Sequence, residues 1–252
     1  MKKCIWCSKT EKTVVFEKLA HTFPQSMGGK NICENVCDDC NRFFGNKESG
    51  FPAVEIALKE VLNLSRFLLL SQGKDLKMVG RFKSEYFNFN TNNRSLKFKA
   101  KYQLRRGFQD EFGKRFRRGM FKVFLEERER QIGDGHDDRF NFIREFARYN
   151  FNDCPIYFQR PKFGVVFYNI DDVKNPEIRF TKHSDEIDNK YRFYSYPLNG
   201  HSFSIPTSNQ FMSERLKSYR DFLQSTDNPF GTELIEIKQI EDLDFRFNYM
   251  NK

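Results

Sequence analysis

The sequence predicts an α+β protein in two unequal parts: a small cysteine-rich module over residues 1–50, and a larger mixed α+β part with an antiparallel sheet over residues 51–252. Three observations lead there. Five of the six cysteines fall in the first fifty residues. Beyond them, stretches of helical spacing and stretches of strict alternation succeed one another, with no internal repeat and no long linker. A chain of 252 residues is also long enough for one small and one medium core.

The cysteines form two tight pairs, Cys4-Ile5-Trp6-Cys7 and Cys37-Asp38-Asp39-Cys40. Two intervening residues let both thiolates of a knuckle reach one tetrahedral ion, and two knuckles complete a closed Zn²⁺ site. A closed site leaves no open coordination position, so this Zn²⁺ is expected to be structural. Fifty residues bury little apolar surface, and a bound metal is a common remedy. Cys33 lies close enough to the second knuckle to be an alternative ligand; otherwise it and Cys154 read as small half-buried hydrophobes. Met1-Lys2-Lys3 leads directly into the first knuckle without a signal pattern, so the paired thiols point to metal ligation in a reducing, cytoplasmic setting. No membrane span is expected, because the best apolar run, residues 62–70, is interrupted by Asn63, Ser65 and Arg66.

Residues 13–19, Thr-Val-Val-Phe-Glu-Lys-Leu, predict a β-strand that delivers His21 at its end. Pro24 and Gly28-Gly29 then impose a loop. Asn35-Val36 enters the second knuckle, and a short helix begins at Asn41-Arg42-Phe43-Phe44 and stops at Gly45. Pro52 opens a longer helix whose apolar face is Val54, Leu58, Val61, Leu62, Leu64 (or Ser65) and Leu68. Alternation on both sides of Thr91-Asn92-Asn93 predicts a hairpin within residues 79–103. Phe108, Phe112, Phe116, Met120 and Phe124 recur every four residues and mark one stripe of a helix, slightly weakened by Gly113 and Gly119. A second helix covers Asp138 to Tyr149. Strands are expected at 163–169, 177–182, 191–197 and 201–205, a helix at about 208–224, and a strand at 232–239. The 30 phenylalanines favour an aromatic-rich core over a set of base-stacking platforms.

The net charge of +9 favours a polyanionic partner. Residues 1–50 contribute 8 Lys/Arg against 6 Asp/Glu, which leaves +7 for the rest. From Arg94 to Arg130 there are 13 basic and 5 acidic residues, including Arg105-Arg106 and Lys114-Arg115-Phe116-Arg117-Arg118. Such a stripe either meets backbone phosphates, with strong salt dependence, or is a solvated helix face.

The order Cys-x-x-Cys, His21-Thr22-Phe23-Pro24, Gly28-Gly29-Lys30, Asn35-Val36-Cys37-x-x-Cys40-Asn41 and Phe44-Gly45 resembles the HNH endonucleases, in the subgroup with two zinc knuckles and a final asparagine. The resemblance covers residues 4–45 and implies a zinc-stapled ββα-metal module. It implies that His21 is the general base, that Asn35 (or, less well matched, Asn31) steadies the loop or orients the histidine, and that Asn41 helps to hold a catalytic Mg²⁺ or Mn²⁺. Imidazole suits the first role because its ordinary pKa lies near neutrality. The expected products are a 5′-phosphate and a 3′-hydroxyl.

One position departs from the pattern. Ala20 stands where many members carry an Asp or Glu that ligates the metal. The ion then depends on Asn41, phosphate and water, unless Glu17, Glu34, Asp38 or Glu48 supplies a ligand, or unless the site has been silenced. Two functions compete: a metal-dependent DNA endonuclease, and a non-catalytic zinc-stapled module that binds nucleic acid. RNA ranks below double-stranded DNA because nothing resembles a base-reading motif. The nucleic-acid contacts expected are Lys30, Arg105, Arg106, Lys114, Arg115, Arg117 and Arg118. By family analogy the settings are restriction or anti-phage defence, and a homodimer is expected of a nuclease with one site per chain. His136, His183 and His201 have no comparable context.

Overall fold

A computed structural model describes residues 1–48, 50–71, 82–90, 95–162, 170–225 and 231–243. The architecture is mixed α+β with antiparallel sheets. In the first fifty residues, the segment predicted as a strand, 13–19, has no regular structure. Thr13 and Val14 instead turn back to donate to the Thr10 carbonyl, and the Asp38 carboxylate accepts from the amides of Glu17 and Lys18. The pairing comes one step later. Thr22 N donates to Asn31 O and Cys33 N to Ala20 O, which sets His21 opposite Ile32 in a minimal antiparallel ladder. A 3-10 turn at Gln25–Met27 closes the loop between the two rungs and ends at Gly28, whose φ of 92° suits glycine.

Helix α1 (Asp38–Gly45) starts three residues earlier than its sequence signal, so Cys40 and Asn41 sit in its first turn. Asp38 and Asp39 at its N-terminus complement the helix dipole. Helix α2 (Val54–Ser71) follows as expected. The hairpin is present as β1 (Phe87–Asn90) and β2 (Ser95–Phe98), with Phe87 opposite Phe98; its turn, 91–94, lies outside the described residues. A short helix α3 (Ala100–Gln103) leads into α4 (Phe108–Gln131). Phe108, Phe112, Phe116, Met120 and Phe124 are all fully buried along α4, at a burial worth of about 2–3 kcal/mol per large side chain. The sequence expectation of an aromatic core holds: Phe108 lies against Tyr86, Phe98, Tyr102 and Phe112, with centroids 4.6–6.1 Å apart.

Helix α5 (Asn141–Tyr149), entered by a 3-10 turn at Asp138–Phe140, packs on α4 through Phe142 and Phe146, both against Phe121. Then come β3 (Tyr157–Pro161), α6 (Ile170–Lys174), α7 (Lys182–Tyr191), β4 (Phe193–Leu198), β5 (His201–Pro206), α8 (Met212–Ser225) and β6 (Thr232–Glu236). The last four strands form one antiparallel sheet in the order β4-β5-β3-β6. Asn199-Gly200, at φ 47° and 77°, makes the two-residue turn of the β4–β5 hairpin, as Asn-Gly is suited to do.

Two further strand expectations need correction and one falls out of reach. Residues 177–182 are not a strand; Thr181 caps α7 by accepting from Ser184 N at 3.2 Å, and the chain turns helical from Lys182. The last strand ends at Glu236, because Asp242 draws the amides of Lys238 and Gln239 into a capping box. The expected strand at 163–169 lies outside the described residues.

One face of the sheet packs on α4, with Phe116 near Phe203 and Phe124 near Tyr194. The opposite side of α4 meets the N-terminal fifty residues, so Cys4, Trp6, Phe44, Phe116 and Phe203 belong to a single continuous core. Helix α4 comes so close to the chain after β6 that a Cβ on Gly113 would lie 2.2 Å from the Lys238 carbonyl oxygen. Alanine gains about 1 kcal/mol in helix propensity over glycine, but overpacking against backbone costs about 1–3 kcal/mol. Gly113→Ala is therefore expected to lower the thermal midpoint; an unchanged or raised midpoint in a calorimetric scan would refute the close approach.

Candidate active site

The four knuckle cysteines converge. The Sγ atoms of Cys4, Cys7, Cys37 and Cys40 all lie within 4.8 Å of one another, with Cys7 and Cys37 at 3.7 Å. Tetrahedral Zn–S bonds of about 2.3 Å require sulfur–sulfur separations of about 3.8 Å, so the set fits Zn²⁺. Its protonation chemistry agrees. The hydrogen bond with Cys40 draws the Cys4 thiol down to about 5, and the same contact pushes Cys40 up. Burial raises Cys37 to about 11. One thiolate is easily accommodated in such a cluster, but four need a cation. Among the described residues, no other group of three or more His, Cys, Asp or Glu side chains is gathered in this way. Cys33 stands outside the cluster and is a buried core residue, its thiol pushed up by burial and then by Glu126.

His21 is held on the ladder described above, half-buried, with Nε2 2.8 Å from the side-chain amide of Gln25 and Nδ1 buried without a hydrogen-bond partner. Asn41 approaches from α1, its Nδ2 donating to Leu19 O at 3.3 Å, two residues before His21. That bond turns the amide nitrogen inward and leaves the amide oxygen as the group Asn41 offers. Asn35 is directed elsewhere: its Nδ2 donates to Glu129 Oε1 on α4 at 2.5 Å. Asn31, on the rung beside His21, donates to Glu127 Oε1 at 3.2 Å. Ala20 is 1% exposed, so its methyl belongs to the core. The four acids near it in sequence are occupied or exposed. Asp38 caps the 17–18 amides, Glu34 pairs with Lys2 at 3.5 Å, Glu48 meets Arg115 at 3.4 Å, and Glu17 is exposed. One amide oxygen is a sparse donor set.

The side of α4 facing this module is charged and buried. Lys122 Nζ donates to His21 O at 2.5 Å and Thr22 O at 3.1 Å, and pairs with Glu55 and Glu126 at 3.0 Å each. Glu126 accepts from Trp6 Nε1 at 3.0 Å. Glu127 accepts from Thr22 Oγ1 and Asn31 Nδ2, and is neutralised by Arg130 at 2.7 Å. Arg144 on α5 adds a bond to the Ile5 carbonyl in the first knuckle at 2.8 Å. None of Thr22, Gln25, Lys122 or Glu127 was singled out from sequence. For Lys122 a signal existed: it is the lone charge within the apolar run Met120–Leu125.

The expected basic stripe divides. Lys30, Arg105 and Arg106 are exposed and Lys114 half-buried, although Arg105 is partly engaged with Gly50 O at 2.8 Å and the Phe51 ring at 4.4 Å. Arg115, Arg117 and Arg118 are buried, which corrects the expectation that they meet nucleic acid. They serve packing: Arg115 binds Glu111 and Pro52 O, Arg117 reaches Asp153, and Arg118 donates to Ala147 O. Burial lowers Arg118 to about 10. The reason is that α4 runs through the middle of the fold, so these arginines face the Pro52 segment, α1 and α5 rather than solvent.

Comparison with known proteins agrees with this geometry at the N-terminus. Residues 4–49 match the family model described as HNH endonuclease. No curated protein and no solved structure matches the chain.

The metal centre makes two outcomes measurable. The chain is expected to carry one tightly held Zn²⁺, and its removal by a chelator at denaturing temperature should prevent refolding of the module; a stoichiometry near zero in metal analysis of folded protein would refute the site. Ala20→Asp is expected to destabilise the fold by about 1–3 kcal/mol through an unpaired buried carboxylate, measured by urea melts; an unchanged midpoint would refute the burial of this side chain.

Proposed function

We propose that this protein is a metal-dependent endonuclease that hydrolyses phosphodiester bonds of double-stranded DNA, with residues 1–50 as the cutting module and residues 51–252 selecting the substrate or the activating signal. The observation that carries the reading is the match of residues 4–49 to the HNH endonucleases, and it is supported by the Asn41 amide on α1 donating to Leu19 O, two residues before His21 on the ladder. The match implies a nucleic-acid substrate; to that we add DNA, the cleavage chemistry and the biological setting.

His21 takes the proton from the attacking water at a ring nitrogen. The side-chain amide of Gln25 already lies against Nε2, so water at this atom replaces that contact or is oriented by it. The Asn41 amide oxygen would help to hold a Mg²⁺ or Mn²⁺. Bound there, the ion would neutralise charge on the phosphate and stabilise the leaving 3′ oxygen. Four cysteines holding Zn²⁺ keep the second knuckle, and with it Asn41, fixed relative to the first. Lys30, Arg105, Arg106 and Lys114 are the candidates for phosphate contact. A homodimer acting in restriction or anti-phage defence is the setting we favour by analogy. No helix among the described residues is long and apolar enough to cross a membrane.

A second reading is a non-catalytic zinc-stapled nucleic-acid-binding protein, favoured by Ala20 in place of a ligating acid. The two separate in one experiment, in which plasmid DNA is incubated with the chain across Mg²⁺, Mn²⁺ and Ni²⁺. Metal-dependent nicking is expected, and His21→Ala should lower the rate by about 10²–10⁴-fold with Zn²⁺ retained. DNA binding in chelator with no scission under any ion would establish the second reading instead.

A further inference from the structure

We infer that Lys122, 101 residues after His21 in sequence, is a positioning residue for His21, acting through the backbone of the ladder. The inference rests on the reading of His21 as the general base and goes beyond it, since it assigns control of the base's aim to α4. Four acceptors surround the Lys122 ammonium: His21 O at 2.5 Å, Thr22 O at 3.1 Å, and the Glu55 and Glu126 carboxylates at 3.0 Å each. Two of the three N–H groups of the ammonium are committed to the carbonyls, and the two carboxylates hold its charge beside them. Its side chain is 1% exposed, so no water competes for the carbonyls. Burial pulls its pKa down, but Glu126 and Glu55 outweigh that and the net shift is upward, so the group is a cation at neutral pH.

The two carbonyls are consecutive. Holding both fixes the peptide planes on either side of Thr22 and hence the backbone that directs the His21 Cα–Cβ bond. Glu127, one turn further along α4, holds the Thr22 hydroxyl and the Asn31 amide on the facing rung. Neither contact reaches the imidazole itself, so the lever is geometric. Stability alone does not explain the arrangement, because a buried ion pair is often no more stabilising than apolar residues of the same volume. What an apolar side chain cannot supply is a donor for two backbone oxygens of the ladder.

The test uses the full zinc-loaded chain with Lys122→Met combined with Glu126→Gln, so that no fully buried acid loses its cation; the carboxamide oxygen introduced by Glu126→Gln would still accept from the Trp6 indole. Glu126→Gln alone is the control. Relative to that control, the double variant should retain Zn²⁺ and a cooperative melt, keep KM on plasmid DNA, and lose kcat by about 10²-fold, the scale of a 1 Å misplacement. The carbon-13 resonance of the His21 carbonyl should move upfield as its donor disappears. A wild-type kcat in the double variant overturns the inference, and so does loss of zinc and fold together with kcat, which would assign Lys122 to the fold alone. In the wild-type chain, labelled at lysine Nζ and the histidine carbonyl, a through-hydrogen-bond correlation is expected whether or not the variant folds; its absence also overturns the inference. Failure of the wild-type chain to cut under any ion removes the general-base reading, and is distinguished from failure of the inference because the carbonyl signature does not depend on cleavage.

Discussion

A charged side chain removed from water has to find partners, and that requirement on α4 organises the N-terminal third of the molecule. Lys122, Glu126 and Glu127 are all fully buried, on consecutive turns of one helix. Their partners are the His21 and Thr22 carbonyls, the Trp6 indole, the Thr22 hydroxyl and the Asn31 amide. Leaving any one of these charges unpaired costs about 3–5 kcal/mol, a large share of the net stability of an ordinary domain. An apolar interface tolerates sliding, whereas directional contacts at the first knuckle and both rungs admit one docking. The zinc clasp and the charged face are complementary constraints. The four sulfurs tie the module's two ends together, and α4 orients the segment strung between them.

Much of this was legible in the sequence, for physical reasons that can be named. The paired cysteines were readable because metal geometry imposes a spacing. The phenylalanine stripe of α4 was readable because a four-residue period survives any tertiary environment. Strands β4 and β5 alternate and flank Asn-Gly, which has few other uses. The failures have equally specific causes. Residues 13–19 are rich in β-branched side chains, but propensity cannot supply a neighbouring strand, and Asp38 captured two of their amides instead. Arg115, Arg117 and Arg118 looked like a surface stripe because charge is normally solvated. Their burial depends on carbonyls and carboxylates that the Pro52 segment, α5 and the Asp153 loop bring from distant parts of the chain. The motif ranked Asn35 above Asn31; in the fold Asn35 turns to Glu129, and Asn31 shares the rung beside His21.

The departure at Ala20 acquires a structural meaning. Its side chain belongs to the core, and Cys33 N donates to its carbonyl, so the residue contributes to the ladder through backbone and methyl group alone. A metal ligand at that position would have to escape the core to be useful. Catalysis in this framework therefore asks more of the residues that aim His21 and Asn41 and less of a preformed cage of carboxylates. The same reasoning gives the buried charges of α4 a purpose that stability does not require.

The central claim is that the His21 ladder and α4 are held as one unit by buried charge. Native-state hydrogen exchange on the zinc-loaded chain tests it most directly, read at the amides of Thr22 and Cys33 and at interior amides of α4. The account predicts that the ladder amides exchange only through the same high-energy opening that exposes the helix. Exchange at Thr22 and Cys33 through a separate, low-energy opening, with α4 still protected, would contradict it.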